Sequence, residues 1–181
     1  MSTESKASEI ILESSLQSFF FDELQGVNQK SSRPLPNETI YYSSLVMDRY
    51  AHAHEYFEIV EGKVREKTLG LKLLETGEMS RTQAKKVLQD VGDTSLILCG
   101  YFSDSVNEKI LNLSYYHDVG RQAYKRLNSM VPSFYDIDEF YHTLSYQFET
   151  LTNLIRIVQK KNHTHSKEDF SFLITKNLKA S

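Results

Sequence analysis

The chain has 181 residues, a length that suits one domain, with 40% hydrophobic and 25% charged residues as in ordinary globular proteins. Its 21 basic and 24 acidic residues give a net charge of −3, which excludes the basic footprint that nucleic acid binding requires. A chain this long buries about 70% of its unfolded surface, so it needs no disulfide or metal staple.

The N-terminus has no basic stretch followed by an apolar one, so no secretory signal is expected. No apolar run approaches the ~18 residues that span a bilayer, and no membrane insertion is expected. The single cysteine, Cys99, follows Leu96-Ile97-Leu98 and reads as a small buried hydrophobe. A lone thiol of this kind points to the reducing cytoplasm.

Seven glycines and three prolines are few, and no proline occurs between Asn37 and Val131. A sandwich of strands would draw on those residues for its turns, so the expectation is all-α: a single-domain bundle of about six helices over 1–160, with a short tail at 161–181. A first helix is predicted near 8–28, with Ile11, Leu16, Phe19, Phe20 and Leu24 apolar. The polar loop from Gln29 to Pro36 precedes a helix near 37–52, and Pro36 suits its first turn. The next helix, near 55–76, carries the stripe Phe57, Val60, Val64, Thr68, Leu71 and Leu74. Gly77 suits a left-handed position that closes it. Ser80-Arg-Thr-Gln83 is a capping box opening a helix near 81–103, whose stripe is Ala84, Val87, Leu88, Val91, Ser95, Leu98, Cys99 and Phe102. Ser105-Val-Asn-Glu108 repeats the capping pattern before a helix near 106–130. The last helix, near 134–160, carries Ile137, Phe140, Tyr141, Leu144, Phe148, Leu151, Leu154, Ile155 and Val158. The polar tail ends in the apolar run Phe170-Ser-Phe-Leu-Ile174.

Gly92, Gly100 and Gly120 fall inside helical segments, where each costs roughly 1 kcal/mol against alanine. Close helix–helix approach explains them, and a ligand pocket beside them is the alternative. Arg121, Lys125 and Arg126 form the densest basic cluster; a solvated helix face accounts for it, with a phosphate site as the alternative. The tyrosines are numerous, and Tyr115, Tyr116 and Tyr124 read as interface groups, because tyrosine is enriched at protein contacts; straddling core and solvent in a small crowded bundle is the alternative. Phe170 and Phe172 either dock on a partner or pack back on their own bundle.

Two incomplete motifs carry chemistry. Glu139-Phe-Tyr-His142 has the Glu-x-x-His spacing of ferritin-like diiron helices, and His52, His54 and Glu58 supply further donors. A ferritin-like site needs a second Glu-x-x-His helix, and the sequence has one; His54 with Glu58 also suits a surface ion pair. Tyr115-Tyr116-His117-Asp118 resembles the His-Asp doublet of the HD-domain phosphohydrolases, helical enzymes whose histidines and aspartates hold a metal and its nucleophilic water. That pattern needs another histidine some tens of residues upstream, and residues 55–116 contain none.

Tyr101-Phe102-Ser-Asp104-Ser105, followed by Tyr115-Tyr116-x-x-x-Gly120-x-x-Ala123-Tyr124-x-x-Leu127, resembles an uncharacterised family of bacterial helical proteins, as does Leu35-Pro36-x-Glu38-Thr39. The resemblance spans roughly residues 15–158 and implies one bacterial helical domain, with no activity to transfer. With no complete catalytic constellation, the expected function is a non-enzymatic interaction or regulatory module that binds a protein partner or a second copy of itself. No cofactor is expected. A metal-dependent helical enzyme, or cofactor-binding bundle, and a small-molecule sensor with an inter-helix pocket are the alternatives.

Overall fold

The structure is a computed structural model that describes residues 15–52, 67–104, 113–130, 133–134 and 137–165. Among these residues the chain is all-α: α1 (Leu16–Asn28), α2 (Asn37–His52), α3 (Lys67–Glu75), α4 (Arg81–Gly100), α5 (Leu113–Met130), α6 (Phe140–Tyr146) and α7 (Phe148–His165). A 3-10 turn, Thr76–Glu78, follows α3. One antiparallel pair, β1 (Ser133–Phe134) with β2 (Ile137–Asp138), places Ser133 opposite Asp138 and Phe134 opposite Ile137.

Helix α4 is the axis of the bundle and packs on α2, α3, α5 and α7. Its end is buried all round: Ser95 through Gly100 are all inaccessible. A helix that buries every face has neighbours on every side. The capping box that starts it forms as expected. Ser80 Oγ accepts from the Gln83 amide at 3.4 Å, and Gln83 Oε1 accepts from the Ser80 amide at 3.3 Å.

The loop between α1 and α2 is closed by a buried side chain. Asn28 donates from its amide nitrogen to the Leu35 carbonyl at 3.0 Å and accepts from the Leu35 N–H at 2.8 Å. It imitates a rung of β-ladder and satisfies backbone groups that burial would leave bare. Pro36 stands just ahead of α2, where its carbonyl accepts from the Thr39 and Ile40 amides.

Three expectations need correction. Gly77 does not adopt a left-handed conformation; it lies inside the 3-10 turn, and the only positive φ outside glycine among the described residues is 55° at Glu139. The α3 stripe is displaced: Leu69 and Leu73 are buried, whereas Leu71 and Leu74 are 55% and 69% exposed. The segment expected as one helix from 134 to 160 is a strand pair and two helices, broken at Gln147. Burial nonetheless follows the predicted stripe, because Phe140, Tyr141, Leu144, Phe148, Leu151, Leu154, Ile155 and Val158 all lie in the core. One non-helical residue re-aims the chain without moving those residues out of the core. The caps expected at Ser105, the stripe residues Phe57, Val60 and Val64, and the tail residues Phe170 and Phe172 lie outside the described residues.

Within the core sits a charge. Asp93 is fully buried, and its carboxylate accepts from the Tyr42 hydroxyl at 2.8 Å, the Tyr124 hydroxyl at 2.6 Å and the Arg49 guanidinium. Gln89 donates to the Tyr42 hydroxyl at 3.2 Å. Burial pushes the Asp93 carboxyl above its ordinary range, and Arg49 and the phenols pull it back. All three partners donate, so the arrangement serves the ionised form. Burial lowers the Arg49 guanidinium, but Asp93 outweighs that and holds it firmly charged. Burial and the adjacent carboxylate raise both Tyr42 and Tyr124 well above the usual phenol value.

Gly92 makes this geometry possible. A Cβ at position 92 would stand 2.6 Å from Cε1 of the Tyr124 ring, where no side chain fits. At Gly120 a Cβ would meet the Phe148 ring and, at 2.8 Å, Ser95, so α5 lies flush on α4 and α7. Close approach is therefore the reason for both glycines.

Gly92→Ala is expected to lower stability by about 1–3 kcal/mol through overpacking, despite the roughly 1 kcal/mol that alanine adds to a helix. Tyr124→Phe should cost about 1.5–3 kcal/mol, the worth of a hydrogen bond to a charged group. Because both changes disturb one contact, the double variant should be less destabilised than the two effects added. Urea unfolding of the three variants measures this, and strict additivity would rule out the coupling.

Candidate functional site

The helical repeat builds one polar cleft. On α5, Ser114, His117, Asp118 and Arg121 stand at i, i+3, i+4 and i+7, and so share a face. On α7, Glu149, Asn153 and Arg156 repeat the spacing i, i+4, i+7. These stripes, with Leu113 and Tyr146, line a cleft of about 500 Å³. That volume falls within the ~300–1,000 Å³ of small-molecule sites.

Arg156 is the best-anchored side chain of the cleft. Its Nε donates to Ser103 Oγ at 3.1 Å, Nη1 to Asn153 Oδ1 at 3.2 Å and Nη2 to the Cys99 carbonyl at 3.0 Å. The last bond satisfies a carbonyl at the end of α4, as basic side chains often do at helix C-termini. All three acceptors are neutral. Asp118, Arg121, Glu149 and Arg156 form no ion pair within 4 Å among the described residues. The cleft thus holds two positive and two negative groups that do not neutralise each other by contact.

His117 lies between these charges, half-buried, with its ring edge against Phe148 at 5.4 Å between centroids. Burial lowers its pKa; Glu149 and Asp118 oppose that, whereas Arg156 and Arg121 reinforce it, and the balance lies below the usual value. The imidazole is therefore neutral at pH 7, able to donate one hydrogen bond and accept another.

The residues singled out from sequence distribute as follows. Glu139 accepts from Asn128 Nδ2 at 3.2 Å, and the His142 amide donates to Asn128 Oδ1 at 3.1 Å. The Glu139 and His142 pair thus serves to dock the start of α6 on α5. The His142 ring is exposed and stacks on Tyr146. His52 is the last residue of α2, and His54 and Glu58 lie outside the described residues. No group of three His, Cys, Asp or Glu side chains that could hold a metal occurs among the described residues, so His117 and Asp118 gather no third such ligand there. Tyr116 and Tyr124 are 1% and 0% exposed and belong to the core, not to a surface. Tyr115 is partly buried beside Tyr116.

The basic cluster divides by direction. Arg126 donates to the Leu73 carbonyl at 2.9 Å, whereas Arg121 faces the cleft. Sequence reading missed Glu149, Asn153 and Arg156. Their i, i+4, i+7 spacing is visible, but the outer face of any helix looks the same until a second polar stripe is laid against it.

Compared with known proteins, the chain matches no family model, no curated protein and no solved structure.

In an NMR titration the His117 imidazole should show a midpoint below the ordinary histidine value of about 6.5. Its contribution to stability is then present above that pH and is lost as pH falls toward the folded-state midpoint. A midpoint above 6.5 would show that the two carboxylates dominate the cleft. Burial also pushes the Cys99 thiol up to about 12, so native protein should resist iodoacetamide at pH 8 and react stoichiometrically in urea.

Proposed function

We propose that the protein is a non-enzymatic helical binding module, and that the α5–α7 cleft receives its ligand. One observation carries this reading: four charged side chains surround one concavity without pairing to each other, and one of them, Arg156, is fixed in place by three hydrogen bonds. Charges that a ligand must meet are best held in advance, since ordering them during binding would cost affinity. The buried charge, Asp93, has both oxygens occupied and works in the core. A location in the bacterial cytoplasm belongs to the same proposal, supported by the free buried Cys99 and the resemblance to bacterial helical proteins. A protein partner, if one is the ligand, would meet the cleft through Tyr146, which is 75% exposed at its rim, and not through Tyr116 or Tyr124.

A chemically diverse compound set, screened by thermal unfolding and followed by ¹⁵N NMR, tests the reading. A binder present at a hundredfold over its Kd adds about 2.7 kcal/mol of stability, or roughly 5–10 °C in Tm for a chain this size. Its amide shifts should centre on Ser114, Asp118 and Asn153. Binders whose shifts map consistently to another part of the bundle would overturn the assignment of the cleft.

A further inference from the structure

Resting on that assignment, we infer that the cleft takes a small zwitterion, a molecule bearing a carboxylate and an ammonium group, with the carboxylate on Arg121 and Arg156 and the ammonium on Glu149. The cleft's formal charge is the first argument. Arg121 and Arg156 balance Asp118 and Glu149. A simple anion drawn to the guanidiniums would be repelled by the carboxylates, and a simple cation would meet the reverse. A ligand that bears both signs meets a partner for each.

Donor arithmetic is the second argument. A guanidinium has five N–H groups. Arg156 spends one each on Ser103, Asn153 and Cys99, so two remain, and a planar carboxylate is the group that uses such a pair best. The third is spacing. Glu149 and Arg156 are seven residues apart on α7, about 10 Å along the helix axis at 1.5 Å per residue, which leaves room for a small molecule between the two heads. Neutral His117 lies across from them on α5 and can bond to either end of the ligand. Leu113 and the exposed ring of Tyr146 give the rest of the ligand an apolar wall.

The test uses two probe sets on the full chain. L-Phenylalanine is compared with 3-phenylpropanoate and 2-phenylethylamine, and 5-aminopentanoate with pentanoate and pentylamine. ¹⁵N NMR titration should show at least one zwitterion binding the cleft ten times more tightly than both of its singly charged analogues. Glu149→Gln and Arg121→Gln alter exposed side chains and leave the core intact. The first should weaken the bound zwitterion about tenfold while tightening the matching carboxylate; the second should weaken both of these and spare the amine. A purely structural role for either residue would not produce such opposite effects. Equal binding of the singly charged analogues, or no binding of either zwitterion while other compounds shift the cleft amides, overturns the inference and leaves the cleft assignment standing. If no compound of any class shifts those amides, both fail.

Discussion

Asp93 loses all its water when the chain folds, and three helices supply what replaces it: Arg49 and Tyr42 from α2, Tyr124 from α5, and α4 itself as the bearer of the charge. Taking an ion out of water costs several kcal/mol even after relaxation, and only well-made hydrogen bonds offset it. The bundle therefore cannot slide: a turn's displacement of α2 or α5 along α4 would bring apolar groups against the carboxylate. Aromatic rings complete the enclosure. Tyr42 meets Phe140 edge-on at 5.2 Å, and Tyr124 stacks on Tyr141 at 6.3 Å, which ties α6 to the same centre. Hydrophobic burial supplies most of the driving force, and the buried carboxylate adds to the close contacts at Gly92 and Gly120 a directional demand on register.

The parts legible in the sequence are those with a local cause. Ser80 and Gln83 cap α4 because the motif needs only four residues, and the stripes of α4 and of residues 140–158 follow from the 3.6-residue repeat. What could not be read arises between segments. Asp93 sits in Val-Gly-Asp-Thr-Ser, where a carboxylate looks like a solvent-facing residue until Tyr42 and Tyr124, 51 and 31 residues away, are brought to it. The same ignorance made Tyr116 and Tyr124 look like surface groups: a buried phenol needs a partner, and in the case of Tyr124 that partner lies on another helix. The break at Gln147 was hidden for a different reason, since the apolar stripe keeps its spacing across it. In α3 the four leucines between Leu69 and Leu74 allow more than one face, and their neighbours decided between them.

The cleft depends on that centre at one remove. Gly120 lets Phe148 seat against α5, which brings the polar stripes of α5 and α7 face to face. Arg156 reaches past the stripe to the Cys99 carbonyl, so the end of α4 and the floor of the cleft share one side chain. One guanidinium thus holds the end of α4 through Cys99, the loop residue Ser103 and Asn153 of α7 together, so the wall of the cleft is fixed by the same bonds that close the bundle.

The interruption between α6 and α7 lies beside the cleft. Tyr146 directly precedes the break, three-quarters exposed, while its neighbours Ser145 and Phe148 stay buried. Exchange of that side chain would give up only its surface stacking on His142, yet it stands at the mouth of the cleft. Substitution at residue 146 would therefore change the mouth of the cleft while leaving the buried residues on either side of the break in place.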